Sequence, residues 1–319
     1  MRAVEPESND PIERETNRGY RQLEEGDFEG ALKTARSLED LRNTCSFEIA
    51  ALAKLGMEDP EGAIKVLKRG VELAPDVWVN WQLLGNVYSD LGRFEEAENA
   101  FRDALRCPEP WVESIALNQA VLLGHQGKYE AALERLAAIH DEDLAIEIGA
   151  ARVNTLGRMG RREEAIAAAA AVLQLEPQTP SDEDAWYFVA ALELRLRFEL
   201  GLDPEEVRSR ALALLRETSE NEHALALIRD TRGERDKDNQ YLRIVVHGNS
   251  SQADVSADGF YAPYDVVARD PEDALPYIEE IESARGFDHL EIEDCEVLAK
   301  RVKDPKGVYR VGGRDYYAE

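Results

Sequence analysis

The chain has 319 residues, and 65 Asp and Glu against 38 Lys and Arg give it a formal net charge of −27. Such a balance suits solubility and, with no basic stripe to offset it, argues against a nucleic-acid partner. Three scattered cysteines (Cys45, Cys107 and Cys295) show no metal or CxxC spacing, the segment Met1 to Asp10 is acidic, and the longest apolar stretch, Ala165 to Leu175, is too short to cross a bilayer; these features predict a cytoplasmic protein with no secretion signal and no membrane span.

Residues 1–11 are expected to be disordered or extended. Beyond them, Ala31, Ala63, Ala97, Ala132 and Ala165 recur at intervals of 32, 34, 35 and 33 residues, each in a short turn-then-helix phrase. A period near 34 residues predicts a stacked array of helical hairpins, because one such unit cannot bury its apolar face alone. Gly26, Gly92, Gly127 and Gly160 mark the same turn, with Glu58 in place of glycine in the second unit; Phe28, Phe94 and Tyr129 follow two residues later, and Pro75 and Pro177 end second helices. The units fall at about 12–43, 44–77, 78–112, 113–145 and 146–178. A degenerate sixth pair is expected from Ala185 to Leu200 and from Pro204 onward, with a capping helix from Glu220 to Arg229, so that the repeat domain covers 12–229.

The clearest unit runs from Val79 to Pro110. Trp81, Leu84, Gly85 and Tyr88 lie at i, i+3, i+4 and i+7 and form one helical stripe, and Ala97, Phe101 and Ala104 form the facing one. This W-x2-L-G-x2-Y phrase, followed by Ala97, Phe101 and Pro108 or Pro110, resembles the tetratricopeptide repeat (TPR) family. The resemblance implies a superhelix of five to six helical hairpins plus a cap, whose first helices line a concave groove that holds an extended peptide. It places Val79, Gln82, Asn86, Ser89 and Asp90, then Ser114, Asn118, Val121 and His125, then Glu147, Ala150, Asn154, Gly157 and Arg158 on the inner face. Of these, Gln82, Asn86, Asp90, Asn118, His125, Glu147, Asn154 and Arg158 are the candidate peptide-binding residues.

Asn86 and Asn154 lie two repeat lengths apart, with Asn118 one ridge over on the unit between, and amides at such places can pair with a peptide backbone without reading its side chains; equally, they can be solvated or helix-pairing asparagines. Repeat domains of this family that grip a terminal carboxylate carry Lys or Arg where this chain has Gln82, Glu147 and Ala151, so a chaperone-tail clamp is not expected. Glu13, Glu24, Glu48, Asp90 and Glu147 fall on inner-face places against Arg158 alone, which predicts a partner segment bearing Lys or Arg.

Asp230 to Gln240 offers almost nothing to bury and reads as a linker. After it, Tyr241 to His247 and Gly259 to Ala268 read as strands, Asp270-Pro271 opens a helix to about Ser283, His289 to Lys300 alternates again, and Gly307 to Tyr317 reads as a last strand pair or hairpin. The fold class is thus α+β, an all-α repeat domain followed by a small β-β-α-β-β sheet domain over 241–319 that resembles no recognised family. Pro263, between Tyr261 and Tyr264, suggests an edge strand, although sheet core fits these tyrosines better. His289, Glu291, Glu293 and Cys295 alternate along one strand and could share a face; a polar strand face toward water is the preferred reading, so no metal or other cofactor is expected. The segment Asp254 to Gly259 lacks calcium-loop spacing, and the Asn249-Ser-Ser251 triplet is taken as chance. No convergent nucleophile and base emerge. The sequence therefore predicts a non-catalytic adaptor; the alternatives are a dedicated inhibitor or regulator of one enzyme, or an enzyme with its site in the C-terminal domain.

Overall fold

The computed structural model describes residues 10–41, 43–218, 221–250 and 259–317. The expectations for 1–11 and for 254–259 fall almost wholly outside these residues, as does Ser251 of the Asn249 triplet. Two compact units divide between Leu144 and Ala145.

The first unit is a run of helical hairpins: α1 (Pro11–Glu24) with α2 (Phe28–Asp40), α3 (Cys45–Gly56) with α4 (Pro60–Leu73), α5 (Trp78–Asp90) with α6 (Phe94–Ala104), and α7 (Val112–His125) with α8 (Tyr129–Ala137). The second helices start in two ways. Asp27 and Asp59 cap α2 and α4 by accepting from the backbone N–H of Gly30 and Gly62 at 2.9 and 2.8 Å. Arg93, at the cap of α6, has no such bond and instead pairs with Glu96 three residues on, a carboxylate that also suits the positive helix start.

All five recurring alanines are fully buried. A tight contact within a hairpin is explicit at Gly85, where a Cβ would lie 2.5 Å from the Phe101 ring of α6. The turns share a second constraint. Gly26, Gly92, Gly127 and Gly160 all have φ between +70° and +77°, and Glu58 adopts +57° at the matching place. A side chain is strained there, while glycine is not.

The second unit begins with α9 (Ala145–Arg158), α10 (Arg162–Val172), α11 (Pro180–Glu199), α12 (Pro204–Glu217) and α13 (Glu222–Arg232). Helix α11 starts five residues earlier than expected, because Thr179 and Asp182 form a reciprocal capping box with Pro180 at the first helical position. There follow β1 (Gln240–Ser250), β2 (Gly259–Ala268), α14 (Pro271–Ala284), β3 (Phe287–Lys300), β4 (Gly307–Val311) and β5 (Asp315–Tyr317). The β-β-α-β-β order is the expected one, and the sheet runs β3-β1-β2-β4, antiparallel throughout. The last two strands do not form a hairpin with each other; both pair with β2.

Strand β2 is consequently central, which corrects the edge-strand suggestion. Pro263 is tolerated because its missing N–H points to the break between β4 and β5, where the Gly312 N–H donates to the Pro263 carbonyl at 2.8 Å. Tyr264 is fully buried and Tyr261 is 41% exposed.

One face of the sheet shares a single core with the preceding helices: Leu215 of α12, Leu225 of α13, Ile244, Tyr264 and Ile278 of α14 belong to one buried cluster. The segment between α13 and β1 is stitched to the end of the chain. The N–H of Val302 donates to Asn239 O at 3.0 Å, that of Lys306 to Glu234 O at 2.8 Å, and the Arg235 guanidinium to Lys303 O at 2.6 Å.

At the start of α14, Asp273 accepts from Lys306 Nζ at 2.8 Å and from Arg269 Nη2 at 3.0 Å. Desolvation works against its charge, but the hydrogen bonds from Arg269 and Lys306 prevail and hold its pKa at about 2, below the ordinary 3.8.

Two predictions follow from these turns and this ion pair. Gly92→Ala is expected to lower stability by about 1 kcal/mol through backbone strain alone, since a Cβ there meets nothing within 4 Å, and Glu58→Gly is expected to raise it by up to about 1 kcal/mol; urea titration checks both signs. Asp273→Asn is expected to cost about 2 kcal/mol at neutral pH. Because the folded-state pKa is depressed, that contribution is present above 3.8 and lost as pH falls toward 2, so the two proteins should converge in acid. A pH-independent gap would contradict the pairing.

Candidate functional site

In the first unit the first helices pack in succession, α1 on α3, α3 on α5 and α5 on α7. They present one row of polar side chains. Gln82 Nε2 donates to Ser114 Oγ at 2.8 Å, and Ser89 Oγ is 3.0 Å from His125 Nδ1, so α5 and α7 are tied at two levels. Asn86 and Asn118 stand partly exposed on the same two helices. Among the described residues no hydrogen bond engages either amide.

Two carboxylates on these helices, Glu48 and Asp90, lose part of their hydration. Desolvation raises Asp90 above the usual range, partly offset by His125, and it raises Glu48 despite a relieving hydrogen bond from Tyr20. The Tyr20 hydroxyl is in turn pushed well up, by its own burial and by Glu48. Tyr20 of α1 is a partner the repeat pattern did not single out, because it lies on a different hairpin from Glu48.

Glu147, Asn154 and Arg158 lie on α9, in the second unit. Asn154 is partly exposed and Arg158 exposed, one helical turn apart. Glu147 is engaged by the start of α11: Ser181 Oγ donates to its Oε1 at 3.2 Å, and its buried Oε2 has no hydrogen-bond partner among the described residues. Desolvation, with the Asp182 charge adding to it, raises the Glu147 pKa, while Asp182 is lowered because the N–H groups of Gln178 and Thr179 outweigh its own desolvation. The eight predicted residues thus divide into Gln82, Asn86, Asp90, Asn118 and His125 on α5 and α7, and Glu147, Asn154 and Arg158 on α9.

The C-terminal sheet separates the four residues expected to share a strand face. His247 of β1 stands directly opposite Glu291 of β3, on the face away from the core. Val246 pairs with Ile292 and Val245 with Asp294, which leaves Glu293 as the extra residue of a β-bulge. The bulge resets the alternation, so Cys295 falls opposite the buried Ile244 and packs on the core. His289 sits in a second irregularity with φ of +53°. The donor atoms that converge are those of His247, Glu291 and Glu293, all within 4.8 Å of one another. Alternation along one strand could not reveal this set, since it depends on cross-strand register and on the bulge.

Residues 80–106 match the family model described as tetratricopeptide repeat. No curated protein matches the chain. Among solved structures, a tetratricopeptide repeat protein from Parabacteroides merdae is 18% identical, with 70% of this chain and 86% of that one covered and a TM-score of 0.57. A chain of the APC/C hetero-tetramer Cut9–Hcn1 is 12% identical, with 69% and 42% covered and a TM-score of 0.53. PilW, a type IV pilus biogenesis factor, is 15% identical, with 69% and 100% covered and a TM-score of 0.50. The helical hairpins therefore have the TPR fold. Among the described residues no helix is long and apolar enough to cross a membrane.

The strained ionisation of Glu48 gives a pH signature. A carboxyl whose folded-state pKa is raised leaves stability intact below its ordinary 4.5 and loses it as pH rises through the folded value. Glu48→Gln is therefore expected to match the wild type near pH 4 and to melt at a higher temperature at pH 7. A lower melting temperature at pH 7 would mean that the carboxylate is stabilising.

Proposed function

We propose that this protein is a non-catalytic cytoplasmic adaptor that holds an extended peptide or protein segment carrying Lys or Arg along the first-helix face of α1, α3, α5 and α7. The carrying observation is the contrast within that face. Gln82, Ser89, Ser114 and His125 are consumed by links between helices, whereas the amides of Asn86 and Asn118 stay open. An amide offers two donors and an acceptor, the complement of a peptide unit.

Charge supports the basic partner. Glu48 and Asp90 are partly desolvated, and among the described residues neither is ion-paired with a Lys or Arg, so an incoming ammonium or guanidinium would relieve the cost of their ionisation. Within the second unit, α9 separately presents Asn154 and Arg158, while Glu147 is taken up by α11.

Selection of short displayed peptides on the full chain tests this reading. Recovered peptides should be rich in Lys and Arg, bind more weakly as salt rises, and lose at least about tenfold in affinity, near 1.4 kcal/mol, on the double substitution Asn86→Ala with Asn118→Ala. Recovery of acidic or purely apolar peptides, or equal binding by the double variant, would overturn it.

A further inference from the structure

We propose that His247, Glu291 and Glu293 form a binding site for a first-row divalent cation of the Zn2+ type on the open face of the C-terminal sheet. The three donors come from adjacent paired strands rather than from loops, so their backbones are held before any ion arrives. The donor atoms lie within 4.8 Å of one another. Around a tetrahedral ion with bonds of about 2.0–2.2 Å the donor atoms stand about 3.3–3.6 Å apart, so side-chain rotations that draw the set in by up to about 1.5 Å close it.

Two local features aim the donors. On the other side of β1, Tyr261 of β2 is the cross-strand neighbour of His247, and the two rings lie 5.1 Å apart at 34°. The imidazole is therefore backed by an aromatic face, which limits its rotation, while Glu291 stands opposite it on β3. The bulge supplies the third donor: as the residue outside the ladder, Glu293 projects on the same open face, a known use of bulges to re-aim a side chain.

The donor chemistry selects the class of ion. Two carboxylates balance a divalent charge, and one imidazole nitrogen favours Zn2+ over Mn2+ and over the hard, oxygen-seeking Mg2+. Both glutamates are exposed, so the remaining coordination positions face water and an ion has a direct path in.

Titration calorimetry of the full-length, metal-free chain with ZnCl2 tests the site. One Zn2+ per chain is expected, with Mn2+ weaker and Mg2+ silent at the same concentration. Glu291→Gln and Glu293→Gln, both exposed and nearly isosteric, should each weaken Zn2+ by at least about tenfold, as should His247→Ala, whereas His289→Ala and Cys295→Ser should leave it unchanged. If His247→Ala disturbs the fold, as judged by circular dichroism, the two glutamine variants decide alone. Absence of stoichiometric Zn2+, binding undiminished in both glutamine variants, or binding lost on Cys295→Ser would each overturn the site.

Discussion

Close approach of paired helices is the constraint on which the helical part of this protein depends. Helices pack tightly only where a side chain at the contact is small, and each hairpin buries such an alanine completely. Gly85 and Phe101 show the same rule from both sides, since the glycine leaves the space that the ring fills. Once the crossing is fixed, so is the rotation of each first helix, and with it the identity of the residues turned away from its hairpin partner. The open amide of Asn86 is thus tied to where Gly85 and Ala97 lie in its hairpin.

The second unit is held by a different means. Its helices α12 and α13 bury their apolar stripes against the sheet and α14, and polar side chains reinforce that contact. Glu282, fully buried, accepts from Arg285 Nη1 at 2.9 Å and from Arg314 Nη2 at 2.6 Å, while Arg285 Nε donates to Leu215 O at 3.0 Å. Arg229 of α13 lies 3.8 Å from the Tyr309 ring centre and donates to Val308 O. A buried carboxylate is tolerable only with such partners, and their removal is costly. The sheet accordingly has one face closed by helices and one face open, and the open face carries His247, Glu291 and Glu293.

The repeat period, the glycine turns and the strand patterning were legible in the sequence because each is a local signal: a small residue every 32 to 35 positions, or an apolar run between turn residues. Less legible were features set by contacts distant in sequence. The Asp230 to Gln240 stretch reads as polar, yet it is pinned by backbone bonds from residues more than sixty positions later. Pro263 reads as an edge residue, yet a break in the neighbouring strands accommodates it centrally. The early start of α11 was available in principle, since Thr179, Pro180 and Asp182 are a complete capping signal, but it lies outside the repeat phrase. At the candidate groove, residue places followed from the period, whereas the links of Gln82 to Ser114 and Glu147 to Ser181 needed side-chain geometry.

The claim that organises these observations is that the first-helix face of α1, α3, α5 and α7 is a receptor for an extended basic segment. Hydrogen–deuterium exchange of the full chain, with and without a saturating Lys- and Arg-rich peptide from the selection, tests it most directly. Slower exchange across α3, α5 and α7, with the sheet unchanged, is the predicted result; slowing confined to the sheet or to the second helices would contradict it.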